Sequence, residues 1–156
     1  MEQMIWFLRI FSVFFFVLTV AAYSQNERSL TQSTTTDLKF EPAIRVILQT
    51  YGAKSFRLPV SGDVLEGKLE GEVITITITE VINQTKMSLE ILGLQHTEKE
   101  VIHISFADKE NRVQIVTTIS QKSKTDPLSR LVFLFFGKNS LKSQSESMTN
   151  LLQTSQ

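Results

Sequence analysis

The chain contains no cysteine among its 156 residues, only one tryptophan, and no net charge. The missing cysteine excludes disulfides, thiolate metal sites and a cysteine nucleophile in one step. Sixteen basic residues offset sixteen acidic ones, so nothing draws the chain as a whole to nucleic acid or to an anionic membrane surface. The charges are interleaved, apart from the small cluster Glu98-Lys99-Glu100. His96 and His103 are the only histidines, and neither has a partner at metal-ligand spacing. No cofactor motif, catalytic constellation or internal repeat is visible, so no cofactor or nucleic acid partner is expected. An exported domain without disulfides depends on its own core, which roughly 110–130 residues can just provide.

What is present begins with an apolar leader. Ile10 to Ala22 carries no charge and follows Arg9, and Ala22-Tyr23-Ser24 puts small residues at the two positions a signal peptidase reads. The uncharged run is about half of the ~20 residues that a spanning helix needs. Residues 1–24 are therefore expected to be a signal peptide and the protein to be exported, periplasmic or secreted. The rival is an uncleaved anchor, because Met4 to Tyr23 is interrupted only by Arg9; any membrane contact is then through this segment alone. Residues 25–36 are polar and Ser/Thr-rich, as in a flexible linker, although Ser33 to Phe40 also suits an edge strand. Residues 37–153 are expected to form the folded domain.

Glu41 to Gln49 reads as a short helix with Pro42 in its first turn and Ile44, Ile47 and Leu48 on one face. Ser55 to Val60 and Asp63 to Leu69 read as two short strands. Glu72 to Glu80 is the clearest strand, with Ile74, Ile76 and Ile78 on one face and Thr75, Thr77 and Thr79 on the other. Three more alternating runs follow: Thr85–Leu92, Glu100–Ala107 and Arg112–Gln121. They are separated by Asn83-Gln84, by a loop from Gly93 to Lys99, and by the polar turn Asp108 to Asn111. Consecutive alternating strands with short polar turns describe an antiparallel meander.

Asp126-Pro127 is a helix-start signature. From there Leu128, Leu131, Val132 and Phe135 form one apolar face, and Leu134, Leu141, Ser145, Met148 and Leu152 recur at spacings of seven, four, three and four. Gly137 weakens this helix by about 1 kcal/mol relative to alanine. Phe133 to Phe136 point in every direction round a turn, so they cannot all face one sheet. They supply either packing, a cavity mouth, a membrane-touching surface or a dimer face through Phe133 and Phe136.

A meander closed by a C-terminal helix resembles the helix-grip fold of the START-like, or polyketide-cyclase (SRPBCC), superfamily. Pro42-Ala43-Ile44-Arg45-Val46-Ile47-Leu48 is similar to the proline-led first helix of such proteins, and Gly67 to Gly71 leading into Ile74–Ile82 to their central hairpin. Arg130 to Lys138 leading into Met148–Leu152 is similar to their closing helix, so the resemblance runs from about Thr34 to Leu152. It implies an α+β fold, a curved antiparallel sheet gripping a long C-terminal helix, with a cavity for a small apolar or amphipathic, lipid-like ligand between them. Ile76, Ile78, Met87, Leu89, Ile104, Phe106, Ile115, Leu131 and Phe135 are the contacts this expects. His103, Glu90 and Arg112 are the polar candidates. His103 lies opposite Ile102 and Ile104, and Glu80, Glu90 and Arg112 suit cross-strand pairing equally well. A non-catalytic binding domain is the leading expectation. The alternatives are an extracytoplasmic interaction domain with a packed core, and a polyketide-cyclase-like enzyme that needs a polar residue such as His103 or Glu90 inside a solvent-reachable pocket.

Overall fold

The computed structural model describes residues 9–17, 20, 26–55, 57–109 and 112–155. The expected cut after Ser24 lies outside the described residues, as do Glu110 and Asn111 of the expected hairpin turn. Residues 9–17 are helical, with Phe11, Phe14, Phe15 and Phe16 exposed. Among the described residues, no helix is long and apolar enough to cross a membrane.

The folded body runs β1 (Glu27–Thr36), α1 (Phe40–Thr50), β2 (Val64–Leu69), β3 (Glu72–Ile82), β4 (Lys86–Leu92), β5 (Thr97–Lys109), β6 (Arg112–Ser123) and α2 (Pro127–Thr154). All strand pairs are antiparallel, in the spatial order β1-β6-β5-β4-β3-β2. The sheet curves round α2, which makes this the helix-grip α+β fold. Two tight turns set the meander. Glu70-Gly71 joins β2 to β3 in two residues and Asn83-Gln84-Thr85 joins β3 to β4 in three. Glu70, Gly71, Asn83 and Gln84 have positive φ, at 51°, 91°, 42° and 55°, the backbone twist such short connections use.

Alternation decides which side of each strand is buried. Ile74, Ile76, Ile78, Met87, Leu89, Ile91, Ile102, Ile104, Ile115 and Ile119 all face inward and are at most 2% exposed. They pack against Ala43, Ile44, Ile47 and Leu48 of α1 and Leu141, Met148 and Leu152 of α2. Each such side chain contributes about 1.5–3 kcal/mol on burial. The threonines of β3 alternate to the outer face, as their spacing requires.

Three local expectations are corrected. The polar stretch expected as a linker is β1, paired with β6 at every position from Glu27↔Lys122 to Thr36↔Val113. Apart from Leu30, which packs against the core, its inward side chains are polar and hold α2 by hydrogen bonds. Arg28 Nη2 donates to the Leu134 carbonyl at 2.9 Å, Thr36 Oγ1 to the Leu152 carbonyl at 3.0 Å, and Ser145 Oγ to Gln32 Oε1. Hydropathy cannot register such a strand. Ser55 to Val60 contains no strand among its described residues, because side chains occupy its backbone groups. Arg45 donates to the Ser55 carbonyl at 2.8 Å, and the Val60 N–H donates to Asp63 Oδ2 at 2.9 Å. Finally β5 begins at Thr97, inside the stretch expected as a loop.

The end of α1 is pinned to β2 by a close backbone approach. The Lys68 N–H donates to the Tyr51 carbonyl at 2.9 Å. A methyl on Gly67 overlaps that carbonyl oxygen, and one on Gly52 overlaps the Lys68 carbonyl oxygen. Gly67→Ala is expected to lower stability by about 1–3 kcal/mol, the usual range for overpacking. Denaturant unfolding measures it; a loss below about 0.5 kcal/mol would show that the junction tolerates separation.

Candidate functional site

The site is built by α2. Asp126 caps it, accepting from the Ser129 N–H at 2.8 Å; that backbone bond holds the Asp126 carboxyl below its usual range. The buried stripe of the helix is Ser129, Phe133, Gly137, Leu141, Ser145, Met148 and Leu152. The expected inward face Leu128, Leu131, Val132 and Phe135 is corrected: Leu128 is 67% exposed and Phe135 58%. A 28-residue helix has one inward face, and its C-terminal half sets it. Stepping back from Leu141 by fours reaches Gly137, Phe133 and Ser129, whatever the local density of apolar residues. Gly137 lets the Phe133 ring lie flat along the helix, with the Arg28 guanidinium 5.1 Å above the ring centroid.

Beside Phe133, between α2 and the residues around Leu69 and Leu94, lies a half-open cavity of about 580 Å³. Leu69, Leu94, Val132, Phe133 and Phe136 give it an apolar wall, while Asn139, Ser140, Ser143 and Ser147 form a polar rim. Thr97, Glu100, Gln121 and Gln144 also line it, the last three around one buried carboxyl group.

That carboxyl belongs to Glu100, which is fully buried. Tyr51 Oη donates to its Oε1 at 2.7 Å, Gln144 Nε2 to the same oxygen at 2.9 Å, and Gln121 Nε2 to Oε2 at 2.6 Å. Gln144 Nε2 also donates to Tyr51 Oη at 2.6 Å. Burial pushes the Glu100 carboxyl above the usual carboxylate range, and the donors from Gln121, Tyr51 and Gln144 only partly counter it. Burial likewise raises Tyr51, with the Glu100 charge adding to the effect.

The residues expected to contact a ligand lie elsewhere. Ile76, Ile78, Met87, Leu89, Ile104 and Ile115 are brought together in the packed core, with Phe106 partly buried against them. Leu131 is half-buried and Phe135 exposed. None of these nine residues lines the cavity. The polar candidates are on the outer face. His103 Nδ1 is 2.9 Å from Ser88 Oγ, Glu90 pairs with Lys99 at 2.6 Å, and Arg112 pairs with Asp37 at 2.9 Å. Glu80, Glu90 and Arg112 therefore do not meet. Phe133 is 3% exposed and unavailable as a dimer surface, whereas Phe136 is 64% exposed. No group of three metal-ligating side chains occurs among the described residues.

Sequence reasoning passed over Glu100, Gln121 and Gln144, although a signal existed for the first two. Glu100 shares the parity of Ile102 and Ile104, and Gln121 that of Ile115 and Ile119, so each extends an inward apolar row with a polar group.

No family model and no curated protein matches this chain. Solved structures of the same fold do. The crystal structure of Ara h 8.0201 is 12% identical with a TM-score of 0.56, over 81% of this chain and 95% of that one. The solution structure of the Aha1 dimer from Colwellia psychrerythraea is also 12% identical, with a TM-score of 0.57 over 80% and 93%. The di-domain ARO/CYC BexL from the BE-7585A biosynthetic pathway is 11% identical, with a TM-score of 0.57 over 83% of this chain and 50% of that one. At these identities the similarity is one of fold.

The raised Glu100 carboxyl makes stability depend on pH. The folded state binds this proton more tightly than the unfolded chain, so its contribution is fully present below the ordinary carboxylate range and is lost as pH rises toward the raised value. Glu100→Gln cannot titrate. The stability of the wild type minus that of Glu100→Gln is expected to fall across this interval in denaturant melts at stepped pH; a flat difference contradicts a raised Glu100.

Proposed function

We propose that this chain is an exported, non-catalytic domain that holds a small amphipathic molecule in the cavity beside α2. The observation that carries this reading is the cavity itself. Its volume of about 580 Å³ falls within the roughly 300–1,000 Å³ of small-molecule sites, and an apolar wall with a few convergent polar groups is their usual chemistry. The ligand lies with its apolar part on Val132, Phe133, Phe136 and Leu94 and its polar part toward Gln144. This is not the aliphatic centre of the grip, which side chains already fill. The non-catalytic reading is supported by the outward placement of His103 and Glu90 and by the hydrogen bonds that already occupy both oxygens of Glu100. Export rests on the apolar leader ahead of residue 25.

A second reading is an interaction domain that docks through Leu128, Phe135 and Phe136. Its support is their exposure of 67%, 58% and 64%, since apolar side chains clustered on one surface commonly mark contact sites. The Aha1 structure of this fold is that of a dimer.

Native mass spectrometry of the protein recovered from an exporting host, followed by organic extraction, separates the two readings. A co-purifying small amphiphile is expected, and Val132→Ser combined with Phe136→Ser is expected to abolish its retention while the far-UV spectrum is kept. Retention unchanged in the double variant places the ligand elsewhere. A ligand-free dimer that Phe135→Ser and Phe136→Ser dissociate favours the interaction reading.

A further inference from the structure

The charges lining the cavity are one-sided, and this points to the chemistry of its occupant. Glu70 and Glu100 line it, and no lysine or arginine does. His96 is the third titratable group there, its Nδ1 3.3 Å from Ser129 Oγ. The nearby cation Arg28 lies behind Phe133, its charge directed at that ring and at the Leu134 carbonyl. Around Glu100 itself, Tyr51 at the end of α1, Gln121 of β6 and Gln144 of α2 all present neutral donors. The carboxyl thus has its hydrogen bonds but no counter-charge from these partners.

We propose that the cavity selects an amphipathic amine, with its nitrogen at the Glu100 end and its apolar chain along Val132, Phe133 and Phe136. The inference rests on the ligand-binding reading above and specifies its head group. The position of the nitrogen is marked by the Gln144 amide, which is half-buried and therefore has an outward path along α2. An ammonium taking its place inherits the two contacts that Nε2 now makes, to Tyr51 Oη at 2.6 Å and Glu100 Oε1 at 2.9 Å. Those become charge-assisted bonds, which are about twice as strong as neutral ones. A neutral amine meeting a protonated Glu100 takes the proton from the carboxyl oxygen onto nitrogen and arrives at the same ion pair. A carboxylate head group meets two like charges instead, and an alcohol gains no pairing of charge.

Octylamine, octanol and octanoate share one apolar chain and differ in head group. Calorimetric titration of the protein with each, below micelle formation and at neutral pH, is expected to rank octylamine first and octanoate last. The gap between amine and alcohol is expected to be on the order of tenfold, or about 1.4 kcal/mol. Glu100→Gln is expected to remove most of that gap. Gln144→Ala, which clears the amide from the nitrogen's position without touching the carboxyl, is expected to tighten octylamine. Should Glu100→Gln fail to fold, the Gln144→Ala result and the wild-type ranking still decide. Octanoate binding as tightly as octylamine, or no gain from Gln144→Ala, overturns the amine assignment while leaving a ligand-binding cavity in place. Absence of binding by all three overturns both.

Discussion

The rest of the structure is arranged around the burial of one carboxyl group. Glu100 is satisfied by donors from the end of α1, from β6 and from α2, three separate elements of the chain. A buried carboxyl that loses its donors costs several kcal/mol, so the network penalises any docking error in either helix. It acts as a register pin. Tyr51 reaches the carboxyl only because the end of α1 sits directly on the Gly67–Lys68 backbone, where there is no room for a methyl. Gln144 reaches it only because the inward face of α2 runs through Leu141 and Ser145. The aliphatic core gives most of the cohesion, but apolar contact is tolerant of sliding, and hydrogen-bond geometry is not.

The same network explains where the molecule is hollow. Over the centre of the sheet, isoleucines from β3, β5 and β6 join Leu and Met side chains of α2 in one buried apolar cluster. Toward the N-terminal half of α2, the inward rows turn polar at Glu100 and Gln121, and these groups bond one another laterally rather than filling the volume beneath the helix. Phe133 closes one end, Phe136 reaches out to solvent, and the remaining space has an apolar wall beside a polar floor. Packing preference and the needs of a buried acid thus set the apolar cluster apart from the cavity.

Much of this was legible in the sequence, for identifiable reasons. Ile74, Ile76 and Ile78 alternate so cleanly with threonines that β3 and its buried face follow directly. Asp126-Pro127 marks the start of α2 because capping chemistry is local. β1 was harder, since only Leu30 of its inward residues is apolar, and Arg28, Gln32, Thr34 and Thr36 attach to α2 by polar bonds that leave no hydropathy signal. The inward face at the start of α2 was misleading, because the apolar residues from Leu128 to Phe136 exceed what one face can bury and only the distant Leu141, Met148 and Leu152 decide among them. Placing Phe135 inward directs attention to the centre of the sheet, whereas the buried Phe133 lines a cavity beside Leu94.

The sheet order also bears on how the chain acquires its structure. β1 comes first in sequence yet its only neighbour in the sheet is β6, and its bonds to α2 span 106 and 116 residues. Contacts of such separation carry a large loop-closure cost and form slowly. A chain emerging N-terminus first therefore has nothing for β1 to pair with until almost all of it is available. The meander from β2 to β6 can assemble through short turns, but its last edge and the grip on α2 wait for both ends. Completion of the sheet therefore waits on β6, and a product interrupted before β6 leaves β1 without its partner and an unpaired strand edge on β5.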